Sequence, residues 1–548
     1  MKVYEAVANA FIREGTTTIF GLLGDGQLSW STVLAKHAGI RIVDARHEDA
    51  ALTMAEGWAR VSGKTGVCSV THGPGLSRAT TSLITASRAR TPIVVFTSRA
   101  PEDNLQHLNQ ERLVSATGAG YIEVLNPANA EHAVRQAFYR AQVESRPIVL
   151  AVPVEIQGRE CDSDGDEYQT SASLFSGQQC IRPDVHRLNA AVKIIEQSRR
   201  PVVLLGRGAR DADAVAAARS LARRIGALTA TTLHAKGAFG AEDYSAGISG
   251  LFSTRTAIQL FAEADCVIAV GASLSSHTLQ GGYLYQEARV IQVDVAPHVQ
   301  MGNERGADCY IQGDAAITIR AIEEMLSHGN VTMEGFRTPD VRRILQTAPL
   351  DAAEFEIEEG TVDPREAVRL MDERLPSDVG VVTGVGHYFS FPVMEMNKPR
   401  PLYLSATAFA CIGQGLATAI GACVALGKPL VCVEGDASAM QYIQELDTAA
   451  RLNLKLLFVV MNDEALGAEY HKLKADGRDT QLSWVRSPDL GAVGRGFGCH
   501  GRVARNLPDV QTGLDEFLAG DGPYVLDIRV SRNVISIPYR RLHFGQDV

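Results

Sequence analysis

Short β-branched, apolar runs alternate with helical patterns along almost the whole of this chain, which is how parallel sheets covered by helices read in sequence. Strands buried on both faces need near-continuous apolar runs, and the chain supplies them in three blocks. Candidate strands at 18–20, 41–44, 66–70, 92–97 and 147–151 form the first block. Those at 202–205, 228–231, 266–270 and 290–293 form the second, and those at 379–383, 430–433, 455–461 and 524–530 the third. At about 150 residues per domain, a length of 548 residues accommodates three such units. The expected fold is therefore α/β, with three doubly wound, mostly parallel-sheet domains over 1–160, 180–328 and 360–548. The polar segment 158–179 and the charged, irregular segment 329–360 are the expected linkers.

Composition narrows the function. The net charge is -10, and the basic residues come as scattered pairs such as Arg199-Arg200 and Arg540-Arg541, so no surface is expected to hold nucleic acid. Nine cysteines without a C-x-x-C pair indicate a reducing compartment, with Cys266, Cys423 and Cys432 read as small buried hydrophobes. The first residues lack a basic start, an apolar centre and a cleavage site, so a cytoplasmic location is expected. Residues 406–427 carry no charge and could span a bilayer by length, but Gly413-Gln414-Gly415 interrupts them and Lys428-Pro429 follows. They read as a buried segment and helix, and no membrane association is expected.

Familiar motifs are incomplete. Gly206-Arg207-Gly208 has Asp211 where a dinucleotide fingerprint needs its third glycine, and His47-Glu48-Asp49 has Ala51 where a zinc-protease helix needs histidine. The informative stretch is 430–467. There an apolar strand ends in Gly435-Asp436-Ala437, a helix from Ser438 follows, and a second apolar strand ends in Asn462-Asp463. Two acidic groups thus emerge at neighbouring strand ends, where open α/β sheets bind ligands. Paired oxygen donors at that place suit Mg²⁺ and a phosphate; helix caps are the alternative.

This stretch resembles the metal motif of thiamine-diphosphate enzymes, G-D-G followed after 25 to 30 residues by N-N, with Ala437 for the last glycine and Asp463 for the second asparagine. The resemblance implies that Asp436, Asp463 and the main-chain oxygen of Ala465 bind Mg²⁺, and that Ala437, Ser438, Leu466 and Gly467 line the cofactor's diphosphate. Residues 46–67 resemble the R-H-E-x-x-A-x-x-x-A-E-G-Y-A-R segment of acetolactate synthases. Ala410-Cys411-Ile412-Gly413 resembles the segment beneath the cofactor, where Ile412 would wedge its rings into a V. The diphosphate contact is matched by Gly386, His387 and Tyr388. Residues 271–277, GASLSSH, lack the arginine-containing pattern of flavin-binding relatives, so no FAD is expected.

The resemblance implies a division of labour in which the cofactor is the electron sink and the protein controls protons. Glu48 would share a proton with the cofactor's aminopyrimidine. Asp25, in Gly24-Asp25-Gly26, and Glu469 fall where pyruvate decarboxylases place acidic groups. His72 stands where acetolactate synthases carry serine, Gln110 resembles a glutamine of theirs, and their channel tryptophan falls near Lys472. The expectation is a 2-oxo acid decarboxylase or carboligase. The alternatives are cleavage of a 1,2-diketone or 2-hydroxy carbonyl compound and, more remotely, a non-catalytic protein of the same fold or a nicotinamide oxidoreductase. Because Glu48 and the metal motif lie in different blocks, the resemblance implies a cofactor bridging two subunits: a homodimer at least, with a homotetramer left open.

Overall fold

A computed structural model describes all residues except 163–166, 176–179, 298–300, 302–304, 329–332 and 547–548. Parts of both expected linkers therefore lie outside the described residues. The first sheet is built from β1 (Thr18–Gly21), β2 (Arg41–Asp44), β3 (Gly66–Ser69), β4 (Ile93–Arg99), β5 (Gly120–Glu123) and β6 (Pro147–Pro153), in the order β2-β1-β3-β4-β6-β5. The second holds β7 (Pro201–Leu205), β8 (Leu228–Thr231), β9 (Ser245–Ile248), β10 (Cys266–Val270), β11 (Arg289–Asp294) and β12 (Cys309–Gln312), in the order β12-β11-β10-β7-β8-β9. The third holds β13 (Gly380–Thr383), β14 (Tyr403–Ser405), β15 (Leu430–Gly435), β16 (Leu456–Asn462), β17 (His500–Ala504) and β18 (Tyr524–Arg529), in the order β14-β13-β15-β16-β18-β17. All strand pairs within these sheets are parallel.

Thirteen strands were expected, and the five additional ones, β5, β9, β12, β14 and β17, all lie at sheet edges. An edge strand is covered less completely. β5, β9, β12 and β17 therefore mix exposed or half-buried positions with buried ones, and β14 has only three residues. The continuous apolar run that marks a central strand is missing from them.

The third sheet repeats the strand order of the first, although no repeat is visible in sequence. In both, the chain's direction of travel across the sheet reverses between two neighbours, β1 and β3 in one, β13 and β15 in the other. Such reversals open the crevices in which α/β proteins bind ligands.

These two sheets share a hydrophobic core, in which Met54 and Leu83 are clustered with Leu416, Ile420 and Leu446. Helix Glu48–Ser62 lies directly on helix Gln414–Leu426. A Cβ added at Gly57 would run into the carbonyl of Thr418, and one at Gly421 into the carbonyl of Met54, so the backbones approach as closely as glycine allows. Buried polar bonds tie the same interface. Tyr442 donates its hydroxyl to Asp49, Gln414 Nε2 donates to Ser82 Oγ at 3.1 Å, and Thr85 Oγ1 donates to Gln414 Oε1 at 2.9 Å.

The segment 406–427 supplies the 13-residue buried helix Gln414–Leu426, and no helix among the described residues is long and apolar enough to cross a membrane. Cys266, Cys423 and Cys432 are buried. The described part of 158–179 is docked, with Tyr168 and Ser171 donating to Glu14 at 2.7 and 2.9 Å.

Candidate active site

The residues singled out in sequence gather into two groups, one at the switch point of each outer sheet. At the third sheet, one cleft of about 290 Å³ is lined by Gly386, His387 and Tyr388 after β13, by Ala410 and Ile412, by Asp436, Ala437 and Ser438 after β15, and by Asp463, Ala465, Leu466, Gly467 and Glu469 after β16. Four separate chain segments therefore meet there because the parallel sheet ends them all on one side.

Asp436 is 2% exposed, and its Oδ2 is buried without a partner. It occupies the first turn of a four-residue helix, Asp436–Ala439, whose cap is Gly435. Asp463 Oδ1 accepts the amide of Ala465 at 3.1 Å, and the following helix, Gly467–Ala475, is capped at Leu466. Neither carboxylate is a helix cap. Between Asp463 and Ala465, Glu464 takes a left-handed φ of 52°, which turns the chain back toward the cleft; Arg529 Nη1 holds its carboxylate at 3.1 Å. Burial raises both aspartates above the usual carboxylate range, and for Asp436 the charge of Asp463 adds to it. An unpaired buried carboxylate costs free energy that a bound cation returns. Among the described residues no three His, Cys, Asp or Glu side chains group as a metal site, so a cation here needs main-chain or ligand oxygens as well.

The helix expected from Ser438 is in fact two short ones, Asp436–Ala439 and Glu445–Arg451. The break has an interdomain cause. It frees Tyr442 to reach Asp49 and lets Glu445 accept the amide of Arg46 at 2.9 Å. Opposite it, Ala410 has φ 56° and Gly413 φ 94°. A Cβ on Gly413 would lie 2.5 Å from Gln441 Cβ, so glycine is required for the bend that leaves Ile412 36% exposed at the cleft.

At the first sheet, Asp25 stands exposed in the turn after β1. The next residue, Gly26, donates its amide to Thr71 Oγ1 at 3.2 Å. Buried His72 has its Nδ1 2.5 Å from Ser98 Oγ, and Gln110 Nε2 donates to Ser98 O at 2.8 Å. Gln110 Oε1 also accepts from Tyr121 at 3.4 Å, so its amide is committed within the fold. Glu48 is buried in the first turn of its helix, with Arg78 Nη1 3.5 Å away. None of Glu48, Asp25, His72 and Gln110 lines the third-sheet cleft of the same chain.

Sequence reading passed over four residues that the site uses. Fully buried Glu434 accepts hydrogen bonds from both Tyr388 and Ser438, and burial pushes its carboxyl up to about 7. A charged residue at the end of an apolar strand was a visible signal for it. Ser98, His471 and Tyr539 gave no such signal, because their neighbours are distant in sequence.

Paired carboxylates and tight turns at the switch point of a doubly wound α/β sheet mark the place where such folds bind a ligand. Three family descriptions match the chain in order: "Thiamine pyrophosphate enzyme, N-terminal TPP binding domain" over residues 1–119, "central domain" over 188–322 and "C-terminal TPP binding domain" over 378–528. The chain belongs to the thiamine pyrophosphate enzymes, as an acetolactate synthase- and pyruvate decarboxylase-like member acting on carbon–carbon bonds. It is 29% identical to an acetolactate synthase large subunit of Parasynechococcus marenigrum, covering 96% of this chain and 87% of the relative. Identity is 27% to acetolactate synthase isozyme 2 large subunit of Escherichia coli (96% and 94% covered) and 27% to a sulfoacetaldehyde acetyltransferase of Alcaligenes xylosoxydans xylosoxydans (98% and 94%).

Proposed function

We propose that this protein is a thiamine-diphosphate and Mg²⁺ dependent decarboxylase or carboligase of 2-oxo acids. The observation that carries the reading is the partnerless Oδ2 of Asp436 in the cleft that also holds Asp463 and the tight turn at Gly467. These hard oxygen donors fit Mg²⁺, which takes carboxylates together with phosphate oxygens. Asp436, Asp463 and the main-chain oxygen of Ala465 would hold the metal. Ala437, Leu466, Gly467 and the Gly386-His387-Tyr388 turn would surround the diphosphate, and Ile412 would support the rings. The chemistry supplied by bound thiamine diphosphate is an electron sink for making or breaking a bond at a carbonyl carbon. Glu48 would hold the proton at the aminopyrimidine, while Asp25, His72 and Glu469 would hold or move protons near the substrate. Ser438 has its hydroxyl hydrogen on Glu434 while its Oγ accepts the amide of Gly413 at 2.8 Å, so its contribution to the diphosphate would come from its backbone.

A second reading, cleavage of a 1,2-diketone or 2-hydroxy carbonyl compound, is favoured by Lys472 in the cleft wall beside Glu469, 3.4 Å away, where acetolactate synthases carry a tryptophan. Measuring CO₂ release from a panel of 2-oxo acids against consumption of diketones separates the two. Thiamine diphosphate uptake without either reaction would defeat both.

Since Glu48 does not line its own chain's cleft, a complete site would need the cleft of a second copy. Mixing Glu48→Gln and Asp436→Asn homodimers under conditions of subunit exchange is expected to restore activity to about a quarter of wild type. Random pairing makes about half the dimers mixed, each with one intact site of two. No recovery despite proven exchange would place Glu48 and Asp436 in the same chain's site.

A further inference from the structure

His387 lines the cleft and is 5% exposed. Its Nε2 accepts the backbone N–H of Ser536 at 3.0 Å. An imidazole nitrogen that accepts from an amide carries no proton, so the proton of the neutral ring is on Nδ1. No protein group bonds Nδ1 among the described residues, and the residue lines the cleft. The ring is held on all sides: His471 lies against it with centroids 4.2 Å apart, Tyr539 meets it edge-on at 4.8 Å and Phe391 at 5.2 Å. Burial and the neighbouring His471 keep His387 uncharged, and burial does the same for His471.

The geometry points to Ser536 as a positioning residue, whose backbone amide fixes His387 in the Nδ1–H form and so presents a donor to the diphosphate cleft. His387 thereby does more to the cleft than line it. The direction of the hydrogen bond is set from the segment before the C-terminal helix Ile537–Phe544, about 150 residues away in sequence. Without that amide the ring could place its proton on Nε2, leaving Nδ1 as an acceptor facing phosphate oxygens, which repels them. The inference rests on the reading of the cleft as a diphosphate site only for its binding consequence. The tautomer itself does not depend on that reading.

Ser536 has φ -65° and ψ 153°, a backbone conformation open to proline; Ser536→Pro removes the N–H and puts the proline Cδ in the hydrogen's place against His387 Nε2, so the imidazole must also shift. Ser536→Ala keeps the N–H and deletes a hydroxyl that is buried without a partner, which makes it the control. Magic-angle-spinning NMR of the full-length protein labelled with ¹⁵N-histidine, with the His387 signals assigned by their loss in His387→Asn, reads which nitrogen is protonated. The expected result is Nδ1–H in wild type and Ser536→Ala, with Nε2–H gained in Ser536→Pro. Calorimetry with thiamine diphosphate and Mg²⁺ is expected to show binding weakened about fivefold in Ser536→Pro and within about twofold of wild type in Ser536→Ala.

An Nε2–H or doubly protonated His387 in wild type overturns the proposal, and that spectrum needs no variant to fold. Equal affinities for Ser536→Pro and Ser536→Ala overturn its binding consequence. If even the wild type takes up no cofactor, the reading of the cleft fails, and the wild-type spectrum alone decides whether Ser536 sets the tautomer.

Discussion

Replacing Glu48 with glutamine is expected to lower kcat by about a thousandfold, while thiamine diphosphate affinity stays within about threefold of wild type. Glutamine keeps the side chain's length and a hydrogen-bonding oxygen in the first helical turn, but it cannot accept or return a proton. A thousandfold corresponds to about 4 kcal/mol of transition-state stabilisation, within the range for a positioned acid or base. Glu48 is 7% exposed in the first turn of its helix, so no mobile neighbour can stand in for it. Arg78, its ion-pair partner, is 60% exposed, so Arg78→Ala should change turnover by no more than about threefold. Turnover and cofactor affinity are read by steady-state kinetics and calorimetry on the same preparation. A Glu48→Gln enzyme within tenfold of wild type would remove the carboxyl from proton transfer.

Replacing Asp436 with asparagine is expected to weaken combined Mg²⁺ and thiamine diphosphate binding by at least about a hundredfold. Even partners that only orient a metal ligand cost 10- to 100-fold, and Asp436 would be a direct donor. The same substitution should change the pH dependence of the apoprotein in a definite direction. The folded state raises Asp436 and Asp463 above the ordinary carboxylate value, about 3.9 for aspartate. The folded chain therefore binds protons more tightly than the unfolded chain. By linkage, that part of the stability is greatest below the unfolded pKa and is lost as pH rises toward the folded values. A cation competes with those protons, so the rise in Tm on adding Mg²⁺ with thiamine diphosphate should be larger at pH 8 than at pH 5.5. In Asp436→Asn the like-charge repulsion is gone, so the apoprotein's decline with pH should flatten. An equal rise in Tm at both pH values in wild type would mean that the carboxylates are not the cation's ligands.

How much of this was legible beforehand depended on where each group lies in the fold. That Asp436 and Asp463 emerge at neighbouring strand ends was readable because each follows a continuous apolar run, and a parallel sheet delivers all such ends to one side. Edge strands β9 and β17 were not, because a strand covered on few sides carries no such run. The helix expected from Ser438 failed for a different reason. Its apolar spacing was correct, but Tyr442 and Glu445 have partners, Asp49 and Arg46, that are about 400 residues away in sequence, and the chain breaks there to meet them.

The order of apolar runs and the residues at their ends thus determined the three sheets and which carboxylates emerge beside one another, since both follow from local periodicity and strand direction. Contacts between distant segments were decided only by the tertiary structure: Gly57 and Gly421 pressing two helices together, Glu434 holding Tyr388 and Ser438, and Ser536 reaching His387. Each of these depends on the close approach of backbones or buried polar groups in three dimensions, and no spacing along a single chain encodes that distance.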